Sequence, residues 1–335
     1  MEREGIGILS HYPAMFPGAA PMLKPTLNYV PCPLAAPAGQ SEAVRRMAYW
    51  EWNATGNPHH PHVVLCVHGL ARQGRDFDVL ARALSPYARI ICPDVAGRGQ
   101  SDWLADPQGY QIPLYVADIL GLLAQLHQQA PITTLDWVGT SMGGLIALGL
   151  LGQPGLPLPV PVRRLVLNDV GPVIEWEALT RIGEYVGQME QFDSLEQAAD
   201  ALWGISGSHF GPHTRQQWLD LCAPQLRPRP EGGLTLHYDP AIAVPFRTLA
   251  QATPEMAQAG EAAMWQLYEH ITAQTLLLRG AQSDLLSSAT AAAMTQRGPQ
   301  ARLVEFDNVG HAPTLVVAEQ VAVVSDFLFP ADEPR

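Results

Sequence analysis

The stretch 136-DWVGTSMGGLIAL-148 sets a serine between glycines, with an apolar run on either side. Gly139-Thr140-Ser141-Met142-Gly143 fits G-x-S-x-G, a pattern whose chemistry needs a strand before it and a helix after it. LDWVG reads as a buried strand and GGLIALGLL as a helix, so both requirements are met. The turn between them must be tight enough to strain the serine backbone and to demand small residues at 139 and 143. Ser141 is then lifted above the carboxyl edge of a sheet, and the helix aims its first N–H groups at the same point. This is where a nucleophile and an oxyanion would sit.

A serine hydroxyl is a weak nucleophile at neutral pH and needs a base that is itself oriented by a third group. Of the eleven histidines, His311 in 308-NVGHAPTL-315 follows the last expected strand and so shares the sheet edge of Ser141. His68, in the strand-end pair His68-Gly69, is expected to shape a loop. His59, His60 and His62 read as a solvated polar turn without acidic partners. The third group should also end a strand. Asp284 in 278-LRGAQSDLL-286 is the preferred acid, with Asp169 at the end of LVLND as runner-up and as the expected hinge of an insertion. Asp94 and Asp102 flank the loop AGRGQSDW and are expected to bond turn amides. The Met142 and Leu70 N–H groups are the candidate oxyanion donors, and neither position is a proline.

These groups need a frame that brings strand ends together. From Arg45 onward, HVVLCVHG, ARIICPDV, LDWVG and RRLVLND are short apolar runs alternating with helical patterns, as at 113–128. That alternation predicts an α/β fold with a mostly parallel central sheet flanked by helices. The rhythm stops after Pro172 and resumes at QTLLLRG, so a helical cap is expected to be inserted after the middle strands. The expected division is 45–171 and 271–335 for the core and 172–270 for the cap. Residues 1–44, rich in Pro, Ala and Gly, are expected to be a poorly structured or surface-lying extension.

VHGL at 67–70, PDVAGRGQSDW at 93–103, GTSMGG at 139–144, RGAQSD at 279–284 and VGHAP at 309–313 resemble the α/β-hydrolase superfamily. The likeness runs from about residue 45 to the C-terminus and is nearest to bacterial carboxylesterase-like members with a helical cap. It implies Ser141 as nucleophile, His311 as base and then acid, and Asp284 as its orienting partner, in the chain order of that superfamily. Dehalogenases and epoxide hydrolases of this fold carry Asp at the nucleophile position, so Ser141 argues against both. The sequence reads HGLA where an HGGG lipase loop would stand.

The resulting expectation is a cofactor-free, metal-free serine hydrolase acting on carboxylic esters through an acyl-enzyme. Trp176, Tyr185, Met189, Phe192, Trp203, Phe210 and Trp218 lie in the cap segment and are the candidate substrate-lining residues. Together they imply a fairly apolar, small to medium substrate, which the resemblance extends to polyester or hydroxyacid oligomers. The same triad could instead serve C–C bond, lactone or amide hydrolysis or perhydrolysis, or be retained in a ligand-binding receptor.

Composition limits the partners. A net charge of −12 argues against a nucleic-acid binder. No apolar run is long enough for a membrane span. The scattered Cys32, Cys66, Cys92 and Cys222 form no CxxC pair, and no basic region precedes an apolar leader, so a cytoplasmic protein is expected. Oligomeric state is left open.

Overall fold

The computed structural model describes residues 23–33, 44–205, 207–249 and 253–331. Strand β3 (His62–Val67) shows why the chain folds as it does. Val63, Leu65 and Val67 face one apolar cluster while Val64 and Cys66 face another, and all five are fully buried. A strand covered on both faces has to lie inside a sheet. It pairs in parallel with β4 (Arg89–Pro93) on one side and β5 (Thr134–Thr140) on the other.

Beyond β5 lies β6 (Val162–Asn168), also parallel. The strands β7 (Gln191–Phe192), β8 (Leu226–Pro228) and β9 (Leu234–Leu236) form a small separate sheet. The main sheet then continues with β10 (Gln274–Gly280) and β11 (Arg302–Phe306). On its other side, β2 (Val44–Trp52) and β1 (Thr26–Pro33) add antiparallel strands, giving the order β1-β2-β4-β3-β5-β6-β10-β11.

Helices α2 (Ile112–Gln129) and α3 (Met142–Leu151) cover one face; α1 (Asp78–Leu84) and α10 (Ala318–Leu328) cover the other. The chain passes from β3 to β4 on one side and later to β5 on the opposite side. Loops leaving β3 and β5 therefore diverge and open a crevice at their carboxyl ends, the usual place for a ligand in such a sheet.

The α/β core is as the sequence implied, with three changes at its borders. Thr26–Pro33 is not a loose extension: it is the edge strand β1, with Val30 and Cys32 buried and Leu27 and Tyr29 outward. Pro31 and Pro33 disguise it, because proline argues against a strand except at an edge, where a missing N–H costs no ladder bond. The rest of that expectation, 1–22 and 34–43, lies outside the described residues.

The cap is also mixed rather than purely helical. It holds α4 (Trp176–Tyr185), α5 (Leu195–Ile205), α6 (Arg215–Cys222), α7 (Ala243–Leu249) and the small sheet. It ends earlier than residue 270, because α8 (Pro254–Glu269) packs against α3 and puts Trp265 and Tyr268 in the core cluster. Physically, α8 is the crossover that parallel β6 and β10 require. The helix α9 (Ser288–Met294) likewise crosses between β10 and β11.

The third change concerns His62. It begins β3 and meets an acid, with Nε2 2.7 Å from Asp136 Oδ2 on β5, at the sheet end opposite the crevice. Among the described residues no helix is long and apolar enough to cross a membrane.

Candidate active site

The turn from β5 to α3 is as tight as its glycines imply. Ser141 has φ 52° and ψ −116°, a conformation that L-residues rarely adopt. A Cβ on Gly139 would stand 2.6 Å from the Gly143 carbonyl, and one on Gly143 would stand 2.0 Å from the Val67 carbonyl oxygen. The serine is held there by its own backbone: its N–H donates to the Asn168 carbonyl, and its carbonyl accepts from Gly144 and Leu145. A strained residue persists only where its surroundings fix it this firmly.

From Ser141 the hydrogen bonds run outward in sequence. Its Oγ lies 2.9 Å from His311 Nε2, and His311 Nδ1 lies 2.8 Å from Asp169 Oδ2. With Nδ1–H donating to the carboxylate, Nε2 is left as the acceptor that faces the serine hydroxyl. Asp169 is fully buried and also accepts from Gly280 N–H at 3.0 Å and from Ser283 Oγ at 2.6 Å. Three donors on two oxygens offset the cost of taking a carboxylate out of water. Asn168 fixes the neighbouring pieces, since its Nδ2 donates to both Thr140 Oγ1 and the Pro313 carbonyl.

Asp169, and not Asp284, therefore stands behind His311. The chain leaves β6 with a left-handed residue at Asp169, φ 56°, whose N–H donates to Leu278. This swings the carboxylate over the ends of β6 and β10. Asp284 comes later in the turn after β10 and points the other way. It makes two hydrogen bonds to Arg181 of α4, at 2.7 and 3.0 Å, and ties the cap to the core. Ser283 is the residue of that turn that reaches the site, through Asp169.

Among the described residues, the two candidate backbone donors are both left without a backbone acceptor. Met142 opens α3, so its N–H has no helical acceptor. Leu70 follows His68-Gly69 at the end of β3, and among the described residues neither amide donates to another backbone group. His68 holds that loop: Nδ1–H donates to the Gly69 carbonyl at 2.7 Å and Nε2 accepts from Val95 N–H at 2.9 Å. Burial first, and then the Arg98 and Arg72 charges, push this imidazole down to about 3. Asp94 accepts from the Gly74 and Gln100 amides and from Trp50, and burial raises it to about 6. Asp102 instead bonds Arg46, through the latter's N–H and guanidinium.

These two shifts act oppositely on acid stability. Unfolded His68 takes up a proton below its ordinary value of 6.5 while the folded form does not, so its contribution is lost as pH falls from 6.5 toward 3. Folded Asp94 keeps its proton to about 6, against 3.8 ordinarily, so its contribution fades as pH rises through that window. The His68 shift is the larger. Relative to His68→Gln, the wild-type urea midpoint is therefore expected to fall between pH 6.5 and 4. His68→Gln should be less stable at pH 7 yet show a flatter acid limb; an unchanged pH slope in that variant would remove His68 as the cause.

A cavity opens over Ser141 and His311 beneath the cap. Of the seven aromatic and methionine candidates, Tyr185 and Phe210 line it. The other five do not. Trp176 and Trp203 are substantially exposed, and Met189 lies on a separate surface hollow. Phe192 and Trp218 are buried inside the cap, where Trp218 donates to the Ala199 carbonyl and meets Trp203 edge-on. The lining is mixed, with aliphatic side chains beside the guanidinium groups of Arg72 and Arg181, and its rings include Phe77 and Tyr238, which the sequence did not single out. Arg181, Ile182, Tyr185 and Val186 present one edge of α4, a helical spacing visible in the sequence. Arg72 also faces the cavity, clamped by Asp76 and by Gln225 of the cap.

Known proteins share this frame. A family model described as alpha/beta hydrolase fold matches residues 62–316. The 3-hydroxybutyrate-oligomer hydrolase of Cupriavidus necator is 48% identical over 306 residues, which is 90% of this chain and 97% of that protein. A pimeloyl-[acyl-carrier protein] methyl ester esterase of Xanthomonas campestris is 26% identical, covering 79% of this chain and 93% of the relative. A crystal structure of an alpha/beta hydrolase from Novosphingobium aromaticivorans superimposes with a TM-score of 0.75 at 35% identity, over 92% of this chain and 99% of that one.

Proposed function

The chain belongs to the α/β-hydrolase fold family, and from that premise we propose that it is a serine hydrolase cleaving the ester bonds of short 3-hydroxyacid oligomers. The observation that carries this reading is the hydrogen-bonded line Ser141–His311–Asp169, set beside two backbone amides with no backbone acceptor. The extensive likeness to a 3-hydroxybutyrate-oligomer hydrolase supports the substrate class.

In this mechanism the Ser141 hydroxyl attacks the ester carbonyl while His311 Nε2 takes its proton. The carbonyl oxygen becomes an oxyanion held by the Leu70 and Met142 N–H groups. As the tetrahedral intermediate collapses, His311 returns the proton to the departing oxygen, the 3-hydroxyl of the next unit. Water then enters, gives a proton to His311, and attacks the acyl-enzyme; as the second tetrahedral intermediate collapses, His311 passes that proton to Ser141 Oγ and the acid is released. Asp169 holds the imidazole in the tautomer this cycle needs. Ile182 of α4 and Val186 just after it suit the methyl and methylene groups of such a chain. The four cysteines, buried and unbridged, support a reducing cytoplasmic setting.

Purified protein is expected to release 3-hydroxybutyrate from the soluble dimer and trimer, and to carry a fluorophosphonate adduct on Ser141. Ser141→Ala should lower turnover at least about a thousandfold. Hydrolysis of p-nitrophenyl butyrate without any oligomer turnover would remove the substrate class and leave the esterase. No adduct and no turnover of either would remove both.

A further inference from the structure

Arg98 lies in the loop after β4 and is fully buried, yet the mechanism above gives it no part. Burying a guanidinium is costly unless its donors are all used. Four of its five N–H donors are engaged here, each by an uncharged group. Nε–H donates to the Leu70 carbonyl at 2.8 Å; Nη1–H donates to the Ala96 carbonyl at 2.6 Å and to Tyr115 Oη at 2.9 Å. Nη2 reaches the Met142 sulfur at 3.7 Å. The Tyr110 and Tyr115 rings lie within 5.6 and 5.2 Å of the guanidinium carbon. One planar fork thus grips Leu70 and Met142 together, the two residues assigned above as oxyanion donors.

We propose that Arg98 is a positioning residue of the oxyanion hole, fixing Leu70 through its carbonyl and the first turn of α3 through the Met142 side chain. This rests on the assignment of those two amides as oxyanion donors. The loop itself is braced for the task. Gly99 N–H donates to the His237 carbonyl and Asp239 N–H to the Gly97 carbonyl, so the cap segment just after β9 holds the arginine loop from behind. Tyr110 closes the brace by donating to Asp239 at 2.5 Å. A lysine could keep the charge but could not span these acceptors, because its donors radiate from a single atom.

Donor placement governs the tetrahedral state more than the ground state, so the effect should fall on kcat. Arg98→Met is expected to lower kcat for p-nitrophenyl butyrate by about ten- to a hundredfold, with KM within about threefold. Arg98→Lys should stay nearer to Arg98→Met than to the wild type. The pH midpoint of kcat/KM should not move, since His311 and Asp169 are untouched.

A phenylboronic acid gives a readout free of turnover. Ser141 Oγ adds to boron, its proton passes to His311, and the anionic tetrahedral adduct occupies the oxyanion site. Its affinity should fall in Arg98→Met by the same factor as kcat/KM. Should that variant not fold, Tyr115→Phe removes one partner of the fork and is expected to cost about three- to tenfold in both kcat and boronate affinity. Unchanged boronate affinity in the folded variant, full rescue by lysine, or a shifted pH midpoint would each overturn the proposal. If the wild type binds boronate but turns over no oligomer, the substrate reading fails, and the Arg98 comparison is still decided by boronate affinity.

Discussion

Asp169→Asn is expected to lower kcat by roughly three to four orders of magnitude, while Asp284→Asn stays within about threefold of the wild type. The first figure follows from proton geometry. An asparagine would present either an N–H or a carbonyl to His311 Nδ1. The N–H orientation forces the other tautomer, whose Nε2 carries a hydrogen and cannot accept one from Ser141. The carbonyl orientation keeps the tautomer but supplies no negative charge to steady the imidazolium. Gly280 and Ser283 would also lose part of their acceptor.

Asp284 stands in a different position. Its side chain is 37% exposed and its partner Arg181 27%, so water replaces most of what the pair contributes. Loosening that tie should raise KM through the cap rather than slow the chemistry. Initial rates on p-nitrophenyl butyrate decide the matter. A large kcat loss in Asp284→Asn with little in Asp169→Asn would reinstate Asp284 as the acid.

Gly143→Ala should destabilise the fold by roughly 2 kcal/mol or more and cut kcat at least about tenfold. The site is helical, and alanine in place of glycine there would ordinarily gain up to about 1 kcal/mol. Against this, the new Cβ would stand 2.0 Å from the Val67 carbonyl oxygen and 2.5 Å from its carbon. Those atoms belong to the backbone of a central strand and have no rotamer to yield. Helix α3 must back away, and it carries the Met142 amide with it. Gly121→Ala is the control, since its Cβ on α2 would meet nothing within 4 Å. It should be neutral or stabilising by up to about 1 kcal/mol. Equal urea midpoints for the two variants would show that the contact at Gly143 has been misjudged.

Much of the core could be read from the chain because burial on both faces leaves an unmistakable record. HVVLCV, LDWVG and LVLN are apolar without alternation, and each became an inner strand. Ser141 and His311 were legible for a related reason, since each follows a strand within a short motif. Asp169 and Asp284 both follow strands as well, so position along the chain could not separate them. What separates them is one backbone torsion at Asp169 and the turn at Ser283, both set by tertiary contacts. Strand β1 was concealed by its prolines. Helix α8 was counted with the cap because an amphipathic pattern does not say which surface it meets. The cap aromatics misled in the same way: size signals burial, but Trp218 is buried in a small cluster where the cap meets Val316 and Val79.

With Asp169 at the end of β6 standing behind His311, Asp284 in the turn after β10 is left to moor the roof, while Ser283 of the same turn bonds Asp169. The catalytic line is anchored by Asn168, Gly280 and Ser283, and the roof by Asp284 to Arg181, Arg72 to Gln225 and Gln73 to the Pro224 carbonyl. Catalysis and enclosure thus hang on neighbouring side chains of one turn. A remodelled ceiling over Ser141 would have to keep these ties, and with them the 237–239 segment that braces the Arg98 loop.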